Sequence, residues 1–285
     1  MSYIKVGREN SSDIEIYYED LGSGQPIVLI HGFPLNGHSW EKQTSVLLDA
    51  GYRVITYDRR GFGASSQPSV GYDYDTFAAD LNELMTRLDL RDAVLIGFSM
   101  GTGEVTRYLG TYGSEGVQKA VLIAPLQPFL LKTDDNPQGV DKSVFDEIMR
   151  AIVADRPKYL STFFADFYNV DVLDETRISE DAVRASFQVA AGASALATLK
   201  CVPTWLTDFR ADLPKIDVPV LIVHGDADRI LPIEATGAKL PELIKDSRFI
   251  VVPNGPHAII WTHADEVNSE LLDFLGKNTL QTASA

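Results

Sequence analysis

One serine stands between two glycines in Gly97-Phe98-Ser99-Met100-Gly101, after the apolar run Ala93–Ile96 and before a helical stretch. A G-x-S-x-G run in a strand–turn–helix setting is a nucleophile elbow. The turn is tight and strained, small flanking residues let it close, and the serine Oγ is held at the helix N-terminus. A serine that merely caps the helix is the plainer alternative. A serine hydroxyl is a weak nucleophile near neutral pH, so it needs a base, and the base needs an orienting acid. After such an elbow the chain order is Ser, then Asp or Glu, then His.

Two downstream segments can supply those partners: His224-Gly225-Asp226-Ala227-Asp228 and Asn254-Gly255-Pro256-His257, each just past an apolar run. The acid is Asp226 or Asp228. Asp228 is favoured, because Asp226 directly follows Gly225 in the turn, where an Asp side chain tends to bond nearby backbone. Among the five histidines His257 is best placed as the base. His31 reads as orienting its own loop, His224 as a buried structural residue, and His38 and His263 as helix-end or surface residues.

The chemistry would be acyl transfer, which also needs donors aimed at a developing oxyanion. One is the backbone N–H of Met100, directly after the serine. The other must come from His31-Gly32-Phe33-Pro34; Pro34 has no N–H, which leaves Phe33. Phe33, Met100 and Trp205 are expected to line a small apolar acyl pocket that favours short chains. No phosphate-binding glycine loop opens a helix, Gly61-Phe62-Gly63 lacks the third glycine of a dinucleotide fingerprint, and no His/Cys spacing suits a metal. Trp261 and His263 read as packing and helix-start residues.

These residues need a scaffold. Tyr3–Val6 and Asp13–Asp20 alternate like a β-hairpin. Pro26–Ile30, Arg53–Tyr57, Ala93–Ile96, Val117–Leu126, Pro219–His224 and Arg248–Val252 are near-continuous apolar runs, as in a parallel sheet covered on both faces. Asp75–Asp89, Thr102–Thr111 and His263–Leu275 have helical periodicity. The alternation predicts a doubly wound α/β fold, with ligands beyond the carboxyl ends of the strands. Residues 127–216 hold no convincing strand and many aromatics, and read as a helical cap. The core domain would then be 1–126 with 217–285. The tail Gln281–Ala285 is expected to fray.

The chain has 285 residues and a net charge of −15. An acidic chain lacks the basic face a nucleic-acid partner needs. No apolar run reaches the ~18 residues of a membrane helix, and the N-terminus lacks the apolar core of a secretory signal. The single cysteine, Cys201, allows no intramolecular disulfide and fits a reducing, cytoplasmic setting.

His31-Gly32-Phe33-Pro34-Leu35, Tyr57-Asp58-Arg59-Arg60-Gly61-Phe62-Gly63, the serine elbow, His224-Gly225-Asp226-Ala227-Asp228, Pro256-His257 and Trp261-Thr262-His263-Ala264-Asp265 together resemble the cofactor-free haloperoxidase group of the α/β-hydrolases. That group is also described as chloroperoxidases, bromoperoxidases or perhydrolases. The resemblance runs from Ile27 to about Leu275. It implies an α/β-hydrolase fold, a mostly parallel sheet flanked by helices, with a helical cap between core strands. It implies a Ser99–Asp228–His257 triad, with Phe33 and Met100 as the oxyanion hole, no cofactor, and assembly as trimers or their multiples. The activity implied is esterase with perhydrolase chemistry on a small acyl substrate, water or hydrogen peroxide being the acceptor. A serine nucleophile argues against epoxide hydrolases and haloalkane dehalogenases, which need a carboxylate. The alternatives are a γ-lactam hydrolase, a C–C bond hydrolase using a cation such as Arg107, Arg184 or Arg210, and a non-catalytic receptor.

Overall fold

The computed structural model describes residues 2–276; the tail Gln281–Ala285 lies outside them. Eight strands form one sheet: β1 (Ser2–Glu9), β2 (Ser12–Gly22), β3 (Pro26–Ile30), β4 (Arg53–Tyr57), β5 (Ala93–Phe98), β6 (Val117–Ile123), β7 (Val220–Gly225) and β8 (Ser247–Val252). Their order is β1-β2-β4-β3-β5-β6-β7-β8. The opening hairpin pairs antiparallel and joins β4 antiparallel; β4, β3, β5, β6, β7 and β8 run parallel. β3, β5 and β7 are buried at every position, which is why these runs are continuous rather than alternating. Val28, Ile30 and Leu95 pack on one side of the sheet, and Ile27, Leu29, Val94 and Ile96 on the other.

The helices are α1 (Glu41–Asp49), α2 (Tyr74–Arg87), α3 (Met100–Tyr112), α4 (Lys142–Tyr168), α5 (Val170–Leu173), α6 (Glu180–Gly192), α7 (Ala195–Thr204), α8 (Ile259–Thr262) and α9 (Ala264–Leu275). In α2, Asp73 caps the first turn by accepting from Thr76 N at 2.8 Å, and Phe77, Leu81 and Leu84 are buried on one face. The apolar run after Val117 is a strand only to Ile123. Ala124 turns the chain at φ 47°, so Ala124–Leu126 leave the sheet.

The helices α4 to α7 lie between β6 and β7 in the chain. α4 is interrupted at Asp155 (φ −160°, ψ 85°). Pro157 has no N–H and cannot continue the preceding helix. The Asp155 carboxylate accepts from Lys158 N at 3.0 Å and restarts it as an N-cap. The second half carries Tyr159, Phe163, Phe164 and Phe167. Among the described residues no single helix is long and apolar enough to cross a membrane.

Candidate active site

β5 ends at Phe98, and the next residue, Ser99, sits at φ 53°, ψ −121°. That conformation is strained for a non-glycine residue, by roughly 1–3 kcal/mol, and holds because the backbone around it has nowhere else to go. A Cβ on Gly97 would lie 2.6 Å from the Gly101 carbonyl oxygen, and one on Gly101 would lie 2.2 Å from that of Ile30. Both glycines of the elbow are therefore demanded by close backbone approach. A Cβ on Gly32 would meet the Ser99 Cβ at 3.0 Å, so the loop after β3 runs directly past the serine.

His257 follows β8 and is fully buried. Its Nε2 is 2.7 Å from Ser99 Oγ, and its Nδ1–H donates to Asp228 Oδ2 at 2.7 Å. Asp228 follows β7. Its other oxygen accepts from the Ile230 and Leu231 N–H groups, each at 2.8 Å. Burial alone would raise the Asp228 carboxyl, but the neighbouring His257 and His224 and their hydrogen bonds to it hold it well below the usual carboxylate range. Asp226 lies apart from this chain of bonds and accepts from Asn254 N, fixing one loop to the other.

His224 is buried, and its Nε2–H donates to Asp228 Oδ2 and to the Leu231 carbonyl, each at 3.0 Å. Two imidazoles thus converge on one carboxylate oxygen. His263 precedes α9 but is buried rather than on the surface; His38 is exposed. Trp261 is half-buried, with the Lys42 ammonium 4.6 Å above its ring.

The loop after β3 rests on a buried polar cluster. Arg59, Glu104, Tyr57 and His31 are all buried. Arg59 Nε donates to Glu104 Oε2 at 2.7 Å, and the Tyr57 hydroxyl donates to Oε1. Arg59 Nη2 donates to the His31 carbonyl and its backbone N–H to His31 Nε2, both at 2.9 Å. Burial and the neighbouring Arg59 hold His31 neutral, as an imidazole that accepts at Nε2 must be. Glu104 is on α3, whose first residue follows the serine, so one ion pair ties that helix to the loop. Next to it Arg60 and Asp80 form a bidentate pair at 2.6 Å. Among the described residues, the Phe33 and Met100 N–H groups have no backbone hydrogen-bond partner.

A cavity of about 380 Å³ opens over Ser99, within the range of drug-sized ligand sites. Phe33, Met100 and Trp205 line it, with Leu130, Phe163 and Ile230 among their neighbours. The Phe33 ring meets Trp205 at 4.9 Å and Phe163 at 5.9 Å, both edge-on. Arg107, Arg184 and Arg210 do not line it and are paired elsewhere, with Asp75, Asp181 and Asp208. The cavity's own cation, Arg229, is held by Asp171 at 2.7 Å. No spare positive charge thus awaits the carboxylate that a C–C hydrolase substrate would bring. Among the described residues, no group of three or more His, Cys, Asp or Glu is arranged to hold a metal ion.

Residues 25–264 match the model of the alpha/beta hydrolase fold family. A Synechocystis sp. protein named "Putative non-heme chloroperoxidase" is 74% identical, over 96% of this chain and 100% of its own. The "Bifunctional esterase/perhydrolase" of Acinetobacter calcoaceticus is 35% identical, over 92% of this chain and 96% of its own. Among solved structures, the bromoperoxidase from Bacillus anthracis superposes with a TM-score of 0.92 at 45% identity, covering 96% of this chain and 99% of that one.

Proposed function

The chain belongs to the α/β-hydrolase fold family and, within it, to the non-heme haloperoxidase group, and from that premise we propose that it is a serine hydrolase working through an acyl-enzyme, with perhydrolase activity. The observation that carries this reading is the unbroken line of hydrogen bonds from Asp228 through His257 to Ser99, beside the Phe33 and Met100 N–H groups, which have no backbone partner among the described residues.

Ser99 Oγ attacks the carbonyl carbon of a carboxylic ester or carboxylic acid while His257 Nε2 takes its proton. Asp228 holds the imidazole tautomer and balances the charge it gains. The carbonyl oxygen becomes an oxyanion, which accepts from the Phe33 and Met100 N–H groups. The intermediate collapses, His257 returns the proton to the leaving group, which departs as the alcohol of an ester or as water from an acid, and the acyl group stays on Ser99. Water then attacks, with His257 again as base, and releases the acid. Hydrogen peroxide in place of water releases a peracid. The peracid passes one oxygen to a halide ion in solution, giving hypohalous acid and regenerating the carboxylate. Residues 127–216 act as the cap of this site, over a core of 1–126 and 217–285. The name of the Acinetobacter relative supports pairing the two activities in one site.

The deciding experiment is bromination dependent on acetate and peroxide, run with a metal chelator and with Ser99→Ala alongside. Wild type should brominate only when the carboxylate is present, and Ser99→Ala should not. Aryl-ester hydrolysis without such bromination would keep the acyl-enzyme and remove the perhydrolase step.

A further inference from the structure

The wall of the cavity over Ser99 is mostly apolar, and Tyr159 is an exception within it. Tyr159 lies in the second half of α4, just past the break at Asp155. Its ring leans on Phe163 at 6.1 Å, and Phe163 meets Phe33. The tyrosine thus stands one ring away from the loop that carries the Phe33 N–H. Five buried tyrosines have hydroxyl partners: Tyr52 on the Leu275 carbonyl, Tyr57 on Glu104, Tyr72 on the Pro68 carbonyl, Tyr74 on the Met100 carbonyl and Tyr168 on Ser186. The Tyr159 hydroxyl has none among the described residues, and burial alone pushes its pKa above the ordinary 10.0. It therefore stays protonated and able to donate, on a side chain that lines the cavity over Ser99. The Thr162 hydroxyl, also on the cavity wall, is already bonded to the Lys158 carbonyl at 3.2 Å.

A donor on the wall of an apolar cavity, unpaired within the protein, can bond a substrate acceptor that enters there. A site built around such a donor discriminates against the analogue that lacks the acceptor. The charges near it narrow the acceptor. Asp166 lines the cavity, and Arg229 is engaged by Asp171, so an anionic group would meet repulsion without a free cation.

We propose that Tyr159 is a specificity-determining residue, donating to a neutral oxygen (ketone, ether or hydroxyl) on the part of the ester remote from the scissile carbonyl. The favoured substrates are then oxygenated esters of medium length rather than plain alkyl esters. This assignment rests on the ester-hydrolase reading of the same site.

The test uses shape-matched ester pairs, one member plain and the other with a single methylene replaced by an ether oxygen. The oxygen is moved stepwise along the acyl chain in one series and along the alcohol chain in another. kcat/KM is measured for each pair with wild type and Tyr159→Phe, a change that keeps the ring on Phe163 and removes only the donor. Wild type should favour the ether member at one or two positions. Tyr159→Phe should lower that oxygenated-to-plain ratio about fivefold to tenfold there, the worth of one neutral hydrogen bond. A ratio that Tyr159→Phe leaves unchanged at every position overturns the assignment, and so does an equal fall for both members. Ser99→Ala is run alongside. If it keeps hydrolysing, the acyl-enzyme reading fails, while the Tyr159 ratio still reports on the cavity whichever group attacks.

Discussion

The floor and the roof of the site use polar atoms in opposite ways. Beneath the serine, Arg59, Glu104, Tyr57 and His31 are buried and bonded mainly to one another, Arg59 Nη1 alone among their side-chain nitrogens and oxygens lacking a partner within the described residues. Above it, Phe33, Phe163 and Trp205 meet edge to face, and the Tyr159 hydroxyl has no hydrogen-bond partner among the described residues. A buried polar group that is satisfied within the protein fixes geometry; one left unsatisfied is free to recognise something else. The floor therefore holds the reacting atoms still, and the roof decides what reaches them.

The strongest way to break this comparison is at the line of bonds itself. Ser99→Ala and Asp228→Asn should each lower aryl-ester kcat by about 10⁴-fold or more, with Asp226→Asn within about tenfold of wild type because it only ties two loops. If Asp226→Asn is the dead variant, the acid has been assigned to the wrong aspartate. Next comes the ion pair of the floor. Glu104→Ala strands the Arg59 charge in the interior and should cost about 3–5 kcal/mol in urea unfolding. Arg59→Met with Glu104→Leu should recover much of that stability yet leave kcat low, because the His31 carbonyl has lost its Arg59 donor. A double variant with full kcat would make the pair a packing device and nothing more.

The roof should respond differently. Trp205→Ala or Phe163→Ala should change the ratio of long-chain to short-chain ester kcat/KM by about tenfold or more, while the rate on the best substrate falls far less than in the floor variants. An unaltered chain-length series would show that these rings do not bound the acyl group. The smallest effect concerns pH. Asp228 is held below its ordinary value of 3.8, so its ionised form favours the folded chain. That contribution is fully present above the ordinary value and is lost as pH falls through the lower folded one. The stability gap between wild type and Asp228→Asn should therefore stay level down to about pH 5 and shrink only below about pH 4. A gap that closes between about pH 7 and pH 5 would mean that the carboxylate is not held down.

Most of the sheet was legible in the sequence, because fully buried parallel strands leave continuous apolar runs and each ends at a distinctive turn. The serine elbow was legible for the same reason: Gly97 and Gly101 mark places where backbones nearly touch. What stayed hidden depends on tertiary burial. Glu104 lies inside a stretch readable as helix, yet nothing in its neighbours announces that it is fully buried opposite Arg59. His224 was readable as buried, but not its bond to Asp228, which is set by the loop that brings Ile230 and Leu231 back over the carboxylate. α1 carries few buried residues, chiefly Gln43 and Leu47, too sparse a pattern to stand out. Tyr159 was one aromatic among many in 127–216, and its free hydroxyl is a property of the cavity rather than of any local run.

The serine and both proposed oxyanion donors belong to main chain clamped by Gly32, Gly97 and Gly101. Exchanging a side chain in the cavity wall therefore does not act on them directly, and the chemistry and the substrate range can be inherited separately. On the proposed mechanism, a lineage or a laboratory library can replace Phe129, Val144, Ile148 or Tyr159 one at a time and sample new acyl groups, while each intermediate variant keeps Ser99 in its place. Three absent side chains thus make the rest of the site evolvable.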